Sequence, residues 1–305
     1  MPKGIKDIAR GELNSYRIAS MDSVTFATYN ILNPYHAVKW ADIEGLNEKG
    51  RLKSVRKLRA SSSSSNAWRV FSNWEERKKK LMANLALADI TCIQEISRET
   101  IGSLVPEGYA IAVAAYHRSD HKWREYGNAI VFRQHAVFPV DAFELRWIQD
   151  KSDRASACAV FLIGNYKVLV LSIHLTGYDP EENDSERKQE AKKRGFQELV
   201  SYVEQTRDFE NEVDAIIIAG DLNEDPREEK HSLYRAGYLL ENGFYYDGSL
   251  VATEPSKKRK IDWLFYKPLN KELPLTLEPL NLERKQIQAS DHLMSGSKLI
   301  LNRFD

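Results

Sequence analysis

Asp221 and Asn223 close the apolar run Ile216-Ile217-Ile218-Ala219-Gly220 and present a carboxylate and an amide two residues apart. On an extended segment such residues point the same way, which suits a hard cation or an attacking water held against a phosphate. A turn or a helix cap has the same signature. The chain repeats the pattern. Val24 to Tyr29 runs into Asn30, Ile90 to Gln94 runs into Glu95, and Val168 to Ile173 runs into His174. Ile261 to Tyr266 carries Asp262, and Ser290-Asp291-His292 completes the set. Groups of this kind converge where strand ends meet shapeable loops on a rigid sheet. Asp262 lies among Ile261, Trp263, Leu264 and Phe265, where a carboxylate is costly unless paired, and His292 is a suitable partner.

The elements that must position these residues fall into two similar halves. A strand to Asn30, a helix and a strand to Glu95 are echoed by a strand to His174, a helix from near Ser185 to Gln205, and a strand to Asp221. The first helix opens on Ser72 with Glu75 three residues on, a capping box, and repeats Trp74, Leu81, Met82 and Leu85 at helical spacing. The second buries Ala191, Phe196, Leu199, Val200 and Val203, with Gly195 either a weak point or a close-packing site. This doubling predicts two sheets packed face to face with helices outside.

As an ordered set, Tyr29-Asn30-Ile31-Leu32, Gln94-Glu95, Ser172-Ile173-His174-Leu175, Gly220-Asp221-Leu222-Asn223, Ile261-Asp262-Trp263-Leu264-Phe265 and Ser290-Asp291-His292 resemble the endonuclease/exonuclease/phosphatase superfamily. Trp74-Glu75-Glu76-Arg77-Lys78-Lys79 narrows the resemblance toward the branch of Ccr4-type deadenylases, nocturnin and Angel proteins. It spans residues 22 to 300 or so and implies an α/β fold, the DNase I-like four-layer αββα sandwich of two packed mixed β-sheets flanked by helices. The implied activity is metal-dependent phosphodiester hydrolysis with Mg²⁺ as cofactor and Mn²⁺ able to replace it. The roles carried over make Glu95 and Asp291 the metal residues. Asp221 orients or deprotonates the nucleophile, Asp262 holds the tautomer of His292, and His174 hydrogen-bonds a phosphate oxygen. Asn30, Asn223 and Asn128, the last within Tyr126-Gly127-Asn128-Ala129, touch substrate or its bound waters.

Because the site residues are scattered from Asn30 to His292, we expect a tail over residues 1–21 and one domain over 22–305, with a basic and serine-rich insertion at 36–71. That insertion holds Arg51 to Arg59 and Ser61 to Ser65, and reads either as a flap for a phosphate backbone or as a solvated helix and linker. Lys257 to Lys260 poses the same choice. Tyr35, Trp40, Trp123 and Tyr126 are aromatic residues available to stack on bases.

Lys+Arg and Asp+Glu balance at 44 each, so no overall basic field advertises nucleic acid. The expected substrate is single-stranded RNA cut from its 3′ end. A small phosphorylated nucleotide, a cyclic-phosphate RNA end, an inositol or lipid headgroup, or DNA stay open, as does a catalytically silent binding module. Cys92 and Cys158 lie in apolar surroundings without zinc spacing, which fits a reducing compartment or core filling. The N-terminal residues lack the apolar core of a signal peptide, and no run of ~18 apolar residues exists to span a membrane. The expected location is therefore the cytoplasm, with the nucleus left open. The remaining histidines, His36, His117, His121, His135 and His231, show no metal spacing and are read as surface or packing residues, with His36 and His121 set apart because their loops are expected to rim the site.

Overall fold

Two strands rich in β-branched and aromatic residues run parallel at the centre of the first sheet. These are β1 (Ser23–Asn30) and β2 (Ile90–Ile96), joined by helix α1 (Trp74–Leu85). The computed structural model describes residues 23–32, 74–118, 125–149, 152–175, 185–210, 212–225, 234–249, 251–255, 258–269, 275–282, 285–287 and 289–301. The expected tail, the 36–71 insertion, the Ser72 cap, Tyr35, Trp40, Trp123, His36, His121, His231 and Lys257 fall outside them.

The remaining elements follow in order: α2 (Arg98–Ile101), β3 (Tyr109–Arg118), β4 (Glu125–Arg133), β5 (Phe138–Gln149), β6 (Ser152–Ile163), β7 (Tyr166–His174), α3 (Ser185–Arg207), β8 (Ala215–Asp221), α4 (Tyr234–Glu241), β9 (Tyr245–Tyr246), β10 (Asp262–Pro268), β11 (Leu275–Pro279) and β12 (Ser295–Leu301). They form two six-stranded mixed sheets of order β11-β12-β1-β2-β4-β3 and β5-β6-β7-β8-β10-β9. The halves correspond strand for strand. The parallel pair β1-β2 across α1 matches β7-β8 across α3, and each pair is flanked by antiparallel neighbours.

Alternation along each strand sorts its side chains between two apolar layers. Val24, Phe26, Cys92 and Ile130 of the first sheet meet Ala157, Phe161, Val170, Ile217 and Leu264 of the second in the core between the sheets. Ile93, Ala129 and Val131 turn the other way, under Leu81 and Leu85 of α1. Leu171, Ile216 and Ile218 likewise lie under Leu199, Tyr202 and Val203 of α3, with Ala236 and Leu239 of α4. The result is the four-layer αββα sandwich that the doubling predicted.

Two details of the helix faces follow. Arg77 sits one turn before Leu81 on the buried face of α1 and is itself fully buried, a charge inside what reads as an apolar stripe. Gly195 is a close-packing site, because a Cβ there would run into the guanidinium of Arg235 from α4. Cys92 and Cys158 are free and buried, as core filling requires.

Candidate functional site

At one end of the sandwich the core between the sheets turns from apolar to polar. In the first sheet Asn30, Gln94 and Asn128 lie side by side on β1, β2 and β4. In the second sheet His174, Asp221 and Asp262 lie side by side on β7, β8 and β10. These rows occupy equivalent places in the two halves. One offers neutral amides and the other titratable groups.

The rows meet at Asn30, whose Nδ2 lies 3.1 Å from Asp221 Oδ2 and 3.1 Å from Glu95 Oε1 and donates toward both. Both facing residues are held by the same device. Asn30 Oδ1 accepts the Leu32 N–H at 3.0 Å, and Asp221 Oδ1 accepts the Asn223 N–H at 2.7 Å. Leu32 and Asn223 take left-handed φ values of 55° and 51°. Each is an Asx turn that spends one side-chain atom on its own backbone and leaves the other for the site.

The alternation argument for Asn223 therefore does not apply. The strand stops at Asp221, and the Asn223 amide donates to Leu175 O at 2.8 Å. Glu95 also departs from its strand, with φ 61° at a bulge between Gln94 and Ile96.

Asp262 and His292 form the expected pair, Nδ1 to Oδ2 at 2.8 Å, both buried. His292 Nε2 is 3.9 Å and His174 Nε2 3.7 Å from Asp221 Oδ2, so these three groups face one point without bonding directly. Burial opposes charge on His292, yet Asp262, Asp291 and Asp221 outweigh it and hold its pKa well above the usual imidazole value. Burial pushes His174 down to about 4. Burial, then the charge of Asp262, raises Asp221 to about 7. Asp291 is raised by burial, with Glu95 among the neighbouring carboxylates that add to the shift.

A divalent cation fits this donor set. Glu95, Asp221, Asp262 and Asp291 supply hard oxygen atoms, and Asp262 Oδ1 is buried without a hydrogen-bond partner. Asp221, Asp262 and His292 bring ligand atoms within 4.8 Å of one another. Since His292 Nδ1 is already bonded to Asp262, that trio reads as a hydrogen-bonded pair facing an acid.

Several contributors were given no role of their own from sequence. Ser290 Oγ donates to Asn30 O at 2.7 Å, tying the His292 segment to β1. Thr253 Oγ1 accepts the N–H groups of Ile261 and Asp262 at 3.1 and 3.0 Å. Arg77 donates to the carbonyls of Ile31, Leu32 and Ala289 and so clamps two site loops together. Arg235 holds Leu222 O in the same way. Arg77 was legible as a charge at helical spacing from Leu81 and Leu85, whereas Thr253 carried no such signal.

Asn128 is completely buried, its amide donating to Ala155 O at 2.8 Å and its Oδ1 unbonded. That oxygen is itself enclosed, so the expected contact of Asn128 with substrate has no open atom in this structure. His117 packs against Tyr126 with centroids 6.4 Å apart and meets Arg154 at 3.0 Å. Lys260 is buried with its amine 5.1 Å from the Trp263 ring, and Arg259 bonds to Glu254, so these two side chains of the basic run are packed within the protein rather than solvated.

A model of the endonuclease/exonuclease/phosphatase family matches residues 28–292. No curated protein matches the chain in sequence. Among solved structures, the human nocturnin catalytic domain with bound sulfate is similar at 16% identity and TM-score 0.55, covering 92% of this chain and 94% of that one. Truncated TDP2 of Caenorhabditis elegans is similar at 15% identity and TM-score 0.54, covering 91% and 97%. The mannosyl-6-phosphatase Bt3783 of Bacteroides thetaiotaomicron is similar at 14% identity and TM-score 0.58, covering 91% and 100%.

Proposed function

Because the chain belongs to the endonuclease/exonuclease/phosphatase family, whose members are hydrolases acting on phosphoester bonds, we propose that it is a Mg²⁺-dependent phosphodiesterase that shortens single-stranded RNA from its 3′ end. The observation that carries this reading is the Asn30 amide shared between Glu95 and Asp221, beside the Asp262–His292 pair. It supports the reading by bringing a carboxylate suited to a hard cation beside groups able to exchange a proton, with a neutral amide between them.

Glu95 and Asp291 would hold the ion, with Mn²⁺ able to replace Mg²⁺. When bound, it supplies charge neutralisation at the phosphate oxygens and the leaving oxygen. Asp221, raised to about 7, is matched to neutral pH and takes the proton of the attacking water at Oδ2. His292, fixed through Nδ1 by Asp262, presents an Nε2–H to a non-bridging oxygen of the phosphate. His174 stays neutral and adds a second hydrogen bond there. Asn30 and Asn223 orient the phosphate or its waters.

The balanced charge favours a second reading, a phosphatase acting on a small phosphorylated nucleotide or headgroup. The two differ in salt response, since displacing lysine and arginine from a phosphate backbone weakens RNA binding steeply. The test is turnover of 5′-labelled oligo(A) beside single-stranded DNA, NADPH and cyclic-phosphate-ended RNA, each with Glu95→Ala as control. Stepwise shortening of oligo(A) that the substitution abolishes is expected. Phosphate release or ring opening without shortening would move the protein to the phosphatase reading, and no turnover of any of the four would overturn both.

A further inference from the structure

Glu95 faces the site only because its strand breaks its own rule. Gln94 is in register with Asn30 on β1 and Asn128 on β4, so all three share the inner face of the sheet. In a regular strand the next side chain would point to the outer face. The bulge at Gln94 and Ile96, together with φ 61° at Glu95, cancels that alternation and brings Oε1 to the Asn30 amide at 3.1 Å. A left-handed glutamate is unfavourable by itself and persists only where its surroundings determine it.

We infer that Gln94 is the positioning residue that holds Glu95 in this conformation, through a polar bridge joining the two sheets directly beneath the site. Gln94 is fully buried. Its Nε2 donates to Ser172 Oγ on β7 at 3.1 Å, and its Oε1 accepts from Thr28 Oγ1 on β1 at 3.1 Å. Ser172 Oγ in turn donates to Ile93 O at 3.1 Å, and Gln94 O accepts the Ile31 N–H at 3.2 Å. Residue 94 is thus pinned by side chain and backbone to three strands in two sheets, which leaves the irregularity no place to relax except at 95. Without the bridge a buried amide loses its partners, and β2 gains by resuming regular pairing, which returns Glu95 to the outer face. The inference rests on the proposed role of Glu95 as the metal carboxylate.

The experiment compares the full chain with Thr28→Val, Thr28→Ser and Gln94→Met. Mn²⁺ binding is read from the free-ion electron paramagnetic resonance signal, with Mg²⁺ as competitor, and melting is read in EDTA. Thr28→Val keeps the shape of the side chain and removes the bond, whereas Thr28→Ser keeps the bond. We expect Gln94→Met and Thr28→Val to bind Mn²⁺ about tenfold or more weakly, as substitutions behind a metal ligand do, and Thr28→Ser to bind as the parent does. Folded Thr28→Val and Thr28→Ser proteins that bind Mn²⁺ equally would overturn the inference, whatever their melting temperatures and even if Gln94→Met fails to fold. A parent protein that neither binds Mn²⁺ nor cleaves any of the four substrates would instead remove the metal reading on which it stands.

Discussion

A carboxylate as fully buried as Asp262 needs a partner, and the 2.8 Å contact with His292 Nδ1 commits both residues to one geometry. Asp262→Asn offers that nitrogen an amide in place of a carboxylate, so the tautomer and charge of the imidazole change while its position is kept. We expect kcat to fall by about 10²–10⁴-fold with little change in KM, measured by steady-state kinetics on the substrate identified above. The two site histidines also tilt stability in opposite directions. His174 resists protonation in the fold down to about pH 4, while the unfolded chain takes up that proton near pH 6.5. As pH falls through this window the unfolded state binds more protons, and stability drops by up to about 3 kcal/mol. His292, raised in the fold, contributes stability that is present below about pH 6.5 and lost as pH climbs through its native value. Urea titrations of the metal-free protein in EDTA should show the acid-side slope flatten in His174→Gln.

At the scale of elements, the site depends on how closely strands and helices approach. Gly220 lies opposite Ile173 in the parallel pair of β8 and β7, where a Cβ would strike the Ile173 carbonyl. Backbone cannot turn aside as a side chain does. Gly220→Ala is therefore expected to cost about 3 kcal/mol or more and to displace Asp221, seen as a lowered urea midpoint together with lost turnover. Arg77 is the equivalent point on α1. Its guanidinium serves carbonyls of both the β1 loop and the segment before His292, and Arg77→Met would strand those acceptors. We expect a loss of about 3–5 kcal/mol by urea unfolding. Arg77→Lys should recover only part of it, because one ammonium cannot reproduce the planar fork.

Across the described residues the first and last strands meet inside one sheet. β1 lies between β12 and β2, so the first described strand pairs with the last. The site draws residues from both sheets, and the Asn30–Asp221 contact spans 191 positions of sequence. We propose that residues 22–305 behave as a single domain with no functional fragment. Calorimetry should give one transition with equal calorimetric and van't Hoff enthalpies. A chain ending before residue 289 loses β12 and His292 and should not fold cooperatively, as far-ultraviolet circular dichroism on heating would show.

Period-two alternation and turn chemistry are local, so the sequence by itself determined the strands that run to Asn30, Glu95, His174 and Asp221, the doubled strand–helix–strand plan and the residue types at their ends. The ordered motifs also sufficed for the family, and the burial of Asp262 pointed to His292. What only the tertiary structure decided depends on packing across long separations and on backbone handedness, neither of which leaves a periodic trace. No pattern announces that Glu95 is left-handed, that Asn223 turns back onto Asp221, or that Asn128 is wholly enclosed. Polar residues inside apolar strands, Gln94 and Ser172 among them, signal an unmet bonding requirement, but which groups meet it is settled only when one sheet is laid on the other.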